Sequence, residues 1–219
     1  LDGACKDRDI VLVAVQTPHD EAYDGREPTS HLSPKDFDYS HIKKVVKDID
    51  DKVNEDTIIA VISTMLPGTV REHIAPLVKR GRFVYNPYLI AQGTVEYDME
   101  NPEMIMIGTE DGEVNDVVEK LYELYDPMVK EGTRFEIGTW EEIEATKVFY
   151  NTFISAKLSL VNMIQDVSMK IGHMNVDVVT NALKNSSKRI MGPSYMTAGF
   201  GDGGGCHPRD NIALRVLNE

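Results

Sequence analysis

Ile10-Val-Leu-Val-Ala-Val15 and Thr57-Ile-Ile-Ala-Val-Ile62 are short, continuous runs of mostly β-branched apolar residues. Such runs are typical of strands buried on both faces, as in a parallel sheet. Three further strands are predicted downstream, at Arg82-Phe-Val-Tyr85, Met104-Ile-Met-Ile107 and Arg134-Phe-Glu-Ile137.

Helical periodicity lies between these runs. From Tyr39 to Val53 the apolar residues fall on one face of a helix, at Ile42, Val45, Val46 and Ile49. Further helices are predicted over residues 67–78 and 113–125. Strands that alternate with helices over short connections predict an α/β fold, a doubly wound Rossmann-like parallel sheet with right-handed crossovers. We assign this sheet domain to residues 1–138.

The pattern changes at Thr139, which we interpret as a helix N-cap. Residues Trp140 to Ile171 contain no proline and no glycine, and their apolar residues recur at intervals of three and four. This predicts one helix of roughly thirty residues, followed by a shorter one over Val176 to Leu183. We therefore assign residues 139–219 to a central helical domain. So long an apolar helix needs a partner, so we expect a homodimer built around it; the alternative is a spine packed between two domains of one chain.

Composition excludes several classes of protein. The net charge of −13 argues against binding of nucleic acid. No apolar run reaches the ~18 residues that a membrane span needs. The two cysteines, Cys5 and Cys206, lie far apart and give neither a disulfide framework nor a zinc motif. We expect a cytoplasmic protein without a metal, in which Cys5 is inert.

Three polar turns follow predicted strands: Gln16-Thr17-Pro18, Ser63-Thr64-Met-Leu-Pro-Gly68 and Asn86-Pro-Tyr-Leu-Ile-Ala-Gln92. In open α/β sheets, ligands bind beyond the carboxyl ends of the strands. Each turn taken singly is ordinary turn and N-cap chemistry. Three in the same place favour a ligand such as a phosphate or a ribose.

A cysteine lies in the segment Gly199-Phe-Gly-Asp-Gly-Gly-Gly-Cys-His-Pro-Arg-Asp210. Glycines allow a ligand to approach closely, and the neighbouring His207 and Arg209 favour a thiolate. Asp210 lies within reach to handle a proton. These features predict a nucleophilic Cys206; the alternative is a surface glycine loop that holds an inert, buried cysteine.

Lys147 and Asn151 lie one turn apart on the same face of the predicted long helix. Apolar neighbours surround Lys147, so its charge could point at a ligand. By spacing alone, however, a lysine that extends its ammonium group from a solvated face is the better interpretation.

The order and spacing of these motifs resemble the UDP-glucose/GDP-mannose dehydrogenase family. The match extends from Ile10 almost to the end of the chain and includes Thr17-Pro18, Ser63-Thr64, Pro67-Gly68-Thr69, Asn86-Pro87, residues 101–108, Glu144, Lys147, Asn151, Arg189-Ile190, Gly192-Pro193 and the cysteine segment. The resemblance implies two Rossmann-type domains joined by a long helix. It also implies oxidation of the C6 hydroxyl of a nucleotide sugar to a carboxylate, with two NAD⁺ and a covalent cysteine intermediate.

The resemblance also implies roles for individual residues. Cys206 is the nucleophile and Asp210 its proton-handling neighbour. Lys147 stabilises oxyanions at C6 beside Asn151, and Thr64 helps to hold the catalytic water. The implied cofactor contacts are Thr17, Thr64, Gln92 and Arg209, and the implied substrate contacts are Tyr88, Leu89, Lys147, Asn151, Phe200, Gly203 and Gly204.

The chain departs from the family pattern at several places. Tyr88 and Gln92 stand where the family usually has glutamates, and Arg209 stands where it usually has lysine. The chain begins after the family's GxGxxG turn and stops before the second nucleotide-binding domain. The resemblance therefore implies a fragment, or the ordered part, of a longer enzyme, which need not be active by itself.

Two other functions remain open. A two-electron dehydrogenase of the related hydroxyacid class would share a Rossmann domain and a catalytic lysine but would not need Cys206. A non-catalytic module for nucleotide-sugar binding or dimerisation would be consistent with Tyr88 and Gln92.

Overall fold

A computed structural model describes residues 2–91, 93–199 and 206–217. The chain divides into two compact units, the first ending at Asn151 and the second beginning at Thr152. The domain boundary after residue 138 stays a prediction.

Within the described residues the first unit contains a five-stranded sheet in the order β1-β2-β3-β4-β5. The strands are β1 Ile10–Val13, β2 Ile58–Val61, β3 Arg82–Tyr85, β4 Met104–Thr109 and β5 Arg134–Thr139. All five predicted strands are present, with ends that shift by two residues or fewer. β1 pairs with β2, β2 with β3 and β4 with β5 in parallel.

The prediction of a wholly parallel sheet is wrong at one place. β4 runs antiparallel to β3, with Tyr85 opposite Gly108. A parallel connection needs a crossover element that packs on the sheet. The helix between these strands, Val95–Glu100, has only 6 residues and buries none of them, so it does not serve as a crossover helix. The fold is therefore a Rossmann-like α/β fold in which parallel pairing predominates.

The α-helices of the described residues are α1 Asp2–Cys5, α2 Ser40–Asp50, α3 Val95–Glu100, α4 Asp116–Tyr125, α5 Trp140–Ile171, α6 Val176–Lys184 and α7 Cys206–Leu214. The bounds of α5 are those predicted. α4 begins at Asp116 because the side chain of Asn115 caps it, accepting from the amides of Val117 and Val118. α1, α3 and α7 were not predicted. Among the described residues no helix is both long and apolar enough to cross a membrane.

The helix predicted over residues 67–78 is replaced by a π-helical turn, Val70–Ile74, and a 3₁₀ turn, Ala75–Leu77. Pro76 explains the change because proline lacks an amide proton and its ring clashes with the preceding turn. Gly68, with φ +94°, stands just before these turns in the left-handed region.

Side chains of the sheet alternate between two apolar cores. In β2, Ile59 and Val61 join one core, whereas Ile58 and Ala60 join the other. The first core also contains α2 and the beginning of α5, and the second contains α4. Both faces of the sheet are thus covered, which leaves the ends of the strands as the place where polar side chains gather.

Candidate functional site

The turns that follow β1 and β2 are hydrogen-bonded to each other. Thr17 Oγ1 donates to the carbonyl oxygen of Thr64 at 2.8 Å. Ser63 Oγ accepts from the amide of Val15 at 3.2 Å and donates to its carbonyl at 2.5 Å. Thr64 is half-buried, and its hydroxyl has no hydrogen-bond partner among the described residues. Two of the three predicted turns therefore form one ordered edge with a hydroxyl left for a ligand.

The third turn, after β3, faces inward. Asn86 is buried; its Nδ2 donates to the carbonyl of Met106 at 2.8 Å, and its Oδ1 accepts from the hydroxyl of Tyr125. The ring of Tyr88 packs edge-on against Tyr125, with the ring centroids 5.9 Å apart, and burial raises the pKa of Tyr88. Leu89 packs against the first core. The side chain at position 88 therefore fills the second core, and its main chain stays at the edge of the sheet.

Lys147 contacts that main chain. Its Nζ donates to the carbonyl oxygen of Tyr88, and the side chain is half-buried. Burial lowers the pKa of Lys147 below its ordinary value of 10.5. The solvated-face interpretation is therefore wrong, because the ammonium group points to the carboxyl end of β3. Asn151, one turn further, is exposed.

Glu144 is a buried residue to which sequence reasoning assigned no role. Its side chain is fully buried, and its two carboxylate oxygens accept from the amides of Gly68 and Val70, each at 2.7 Å. Burial raises the pKa of Glu144 from 4.5 to about 7, although the two amide hydrogen bonds oppose this shift. A signal for it exists in the sequence. Trp140, Ile143, Glu144 and Lys147 have the i, i+3, i+4, i+7 spacing of a core-facing stripe.

The remaining candidates that the structure describes belong to the second unit. Cys206 is the exposed first residue of α7, whereas Cys5, in the first unit, is buried. The guanidinium group of Arg209 pairs with the carboxylate of Asp210 through Nε at 2.9 Å and through a terminal nitrogen at 2.8 Å. Arg209 and Asp210 are therefore brought together. Gln92, Phe200, Gly203 and Gly204 lie outside the described residues.

No metal site is evident in the described residues, where no three His, Cys, Asp or Glu side chains come together as ligands.

Two family sequence models match the chain. The NAD binding domain of the UDP-glucose/GDP-mannose dehydrogenase family matches residues 1–126, and the central domain of that family matches residues 141–219.

Among curated relatives, the UDP-glucose 6-dehydrogenase of Rickettsia prowazekii is 28% identical over 195 residues, which is 88% of this chain and 43% of the relative. UDP-glucose 6-dehydrogenase TuaD of Bacillus subtilis is 26% identical over 221 residues, which is 98% of this chain and 43% of the relative. The chain thus spans less than half the length of these relatives.

Solved structures show the same fold. GDP-mannose dehydrogenase from Pseudomonas aeruginosa, solved as a ternary complex, superposes with a TM-score of 0.83 at 25% identity, covering 99% of this chain and 49% of that one. A UDP-glucose dehydrogenase from Pyrobaculum islandicum gives a TM-score of 0.68 at 23% identity, covering 99% of this chain and 48% of that one.

Proposed function

Because the chain belongs to the UDP-glucose/GDP-mannose dehydrogenase family, we propose that it is part of an enzyme that oxidises the C6 hydroxyl of a nucleotide sugar to a carboxylate. The substrate class is a UDP-hexose or a UDP-N-acetylhexosamine. The cofactor is NAD, since residues 1–126 match the family's NAD binding domain.

The observation that carries this proposal is the position of Lys147. Its ammonium group is half-buried and is held at the carboxyl end of β3 by a main-chain carbonyl. A fixed, partly desolvated cation at the ligand-binding edge of an α/β sheet is suited to stabilise an oxyanion. We assign this role to Lys147, with its target the oxygen at C6 and Asn151 beside it.

The paired turns after β1 and β2 fit a cofactor contact. Thr17 and Thr64 already share a hydrogen bond, and the Thr64 hydroxyl remains available. We assign these two threonines to NAD, and Thr64 also to the catalytic water. NAD⁺, when bound there, would accept one hydride from C6, so the two oxidations would use two molecules of NAD⁺ in succession. Gln92 and Arg209 remain proposed cofactor contacts.

Cys206 supplies the covalent step of the proposal. After the first oxidation, its thiolate adds to the C6 aldehyde, forming a C–S bond and a hemithioacetal oxyanion, which Lys147 stabilises. Loss of the second hydride leaves a thioester, and water cleaves the C–S bond to give the carboxylate and the free thiol. Asp210 handles the proton of the attacking water. An exposed thiol at the start of α7, followed by the Arg209–Asp210 pair, is consistent with this assignment.

The sugar contacts of the proposal are Tyr88, Leu89, Phe200, Gly203 and Gly204, in addition to Lys147 and Asn151. For Tyr88 the contact is expected through the main chain, because its ring packs in the second core. The two free thiols support our assignment of the enzyme to the cytoplasm.

The stoichiometry of NADH tests the proposal. The full-length enzyme is incubated with a panel of nucleotide sugars and excess NAD⁺, and NADH formed per sugar consumed is measured. We expect two NADH per sugar. A value of one would indicate the hydroxyacid-type reaction, and no NADH with any sugar would indicate a binding or dimerisation module.

A further inference from the structure

The segment of residues 63–70, here named the Thr64 loop, is held by hydrogen bonds from several elements. The hydroxyl of Tyr85, in β3, donates to the carbonyl of Ser63 at 3.2 Å. The hydroxyl of Tyr39 accepts from the amide of Leu66 at 3.3 Å. Thr17 holds the carbonyl of Thr64, as described above. These contacts fix the first half of the loop.

Glu144 holds the second half of the loop from α5. Val70 is the first residue of the π-helical turn and Gly68 lies two residues before it. Their main-chain amides each donate to a different oxygen of the Glu144 carboxylate. Hydrogen bonds to an ionised acceptor are about twice as strong as neutral ones. Lys147 lies three residues further along α5, so the helix that carries the cation is connected directly to the loop that carries Thr64.

We propose that Glu144 is a positioning residue: its carboxylate clamps the Thr64 loop to α5 and so fixes Thr64 and the NAD-facing edge relative to Lys147. The kinetic part of this inference rests on the proposed function, whereas the clamp itself does not. Glu144 touches neither reactant in this assignment, because its side chain is fully buried and its oxygens accept from main-chain amides.

The clamp depends on the charge of the carboxyl group. Protonation converts one oxygen into a donor, which then faces an amide proton. The pKa of Glu144 is about 7, so the carboxylate loses its charge as the pH falls through neutrality. The charged and titratable groups around it are Glu141 and Arg71, which form an ion pair with each other, and Tyr85 of β3.

The first test needs no enzymatic activity. Amide proton chemical shifts of Gly68 and Val70 are followed by NMR across neutral pH in the full-length protein. In the wild type we expect both amides to titrate together with a midpoint near 7, the pKa of Glu144. In Glu144→Gln we expect both to be flat. Amides that do not titrate in the wild type, or that titrate equally in the variant, would overturn the clamp. If the variant does not fold, the absence of a wild-type titration would still overturn the clamp.

Asp50→Asn is the matched control. Asp50 is a buried carboxylate that also receives main-chain amides, from Lys79 at 2.8 Å, Arg80 at 3.0 Å and Gly81 at 2.9 Å. It holds the segment before β3, at the amino end of the strand, whereas the Thr64 loop follows the carboxyl end of β2. Both variants are expected to lower stability, so stability alone does not distinguish a positioning residue from a structural one.

The second test separates these roles. We expect Glu144→Gln to lower kcat/KM for NAD⁺ by about tenfold to a hundredfold, since small misplacements of aligned groups have effects of this size. In the wild type we expect kcat/KM to fall as the pH drops below about 7, because Glu144 is then protonated. In Glu144→Gln this fall should disappear, and the affinity for NAD⁺ measured by calorimetry should be lower than in the wild type. Asp50→Asn should leave all three unchanged. Equal kinetics in wild type and Glu144→Gln would overturn the positioning role. A wild-type enzyme that oxidises no nucleotide sugar would instead contradict the proposed function, and the amide titration and NAD⁺ affinity would still decide the clamp.

Discussion

The pH dependence of stability offers a direct measure of the burial of Glu144. Its pKa rises from 4.5 to about 7 on folding. One pKa unit corresponds to about 1.4 kcal/mol, so this shift is equivalent to about 3 kcal/mol. At a pH between these two pKa values, the carboxyl group of Glu144 is protonated in more of the folded chains than of the unfolded chains. The contribution of Glu144 to the free energy of unfolding is therefore complete below pH 4.5 and is lost as the pH rises through about 7.

The comparison is made against Glu144→Gln, which cannot titrate. Unfolding in urea is followed by tryptophan fluorescence at several pH values from about 4.5 to 8. Trp140 is the sole tryptophan of the sequence, is 8% exposed and lies one turn from Glu144. The free energy of unfolding of the wild type minus that of the variant should decrease by about 3 kcal/mol as the pH rises across this range. A difference that stays constant or increases with pH would refute the reasoning, because it would mean that folding does not raise the pKa of Glu144.

Three further predictions concern the proposed chemistry and assembly. Lys147→Met keeps an apolar stem but removes the charge, so it should lower kcat by about a hundredfold or more with a small change in KM. The control is Lys157→Met, at an exposed position on the same helix. A rise in KM without a fall in kcat would mean that Lys147 only binds the substrate. Cys206→Ser should prevent formation of the carboxylate, because a serine hydroxyl without an adjacent base is a weak nucleophile; wild-type turnover by this variant, measured as NADH per sugar, would contradict the covalent mechanism. We also expect a homodimer through the helix Trp140–Ile171, whose Phe153 is 51% exposed in the single chain. Phe153→Glu should convert the dimer measured by light scattering into a monomer. A wild-type protein that is monomeric at micromolar concentration would contradict this expectation.

The strands and the long helix could be predicted from local pattern. Their signals are continuous apolar runs and uninterrupted periodicity. The strands are buried in the two cores, whereas α5 buries only Trp140 and Ile143 of its apolar residues. The α-helix expected over residues 67–78 does not form, because Pro76 within it interrupts the helical hydrogen bonds. The antiparallel pairing of β4 could not be predicted in this way, since strand direction depends on where the connection packs and not on the strand's own residues.

The candidate site could be predicted in part. Thr17, Thr64 and Lys147 were found from their positions after strands or from the resemblance, and the structure places them at the carboxyl ends of the strands. The partner of Lys147 was not predictable from side-chain chemistry, because it is a carbonyl group that every residue has. Glu144 was part of the resemblance but received no role, because its partners are main-chain amides, which the sequence does not reveal.

The contact between Lys147 and the main chain of Tyr88 has a consequence for how this family can diverge. A carbonyl oxygen survives any substitution at position 88, so selection on the lysine's partner does not act on the identity of that residue. It acts on the residues that direct the path of the backbone, above all Asn86, whose amide group is tied to Met106 and Tyr125. A change of the side chain at position 88 therefore leaves the partner of Lys147 in place. An altered residue at position 86 would be the more informative sign that a homologue has lost the geometry.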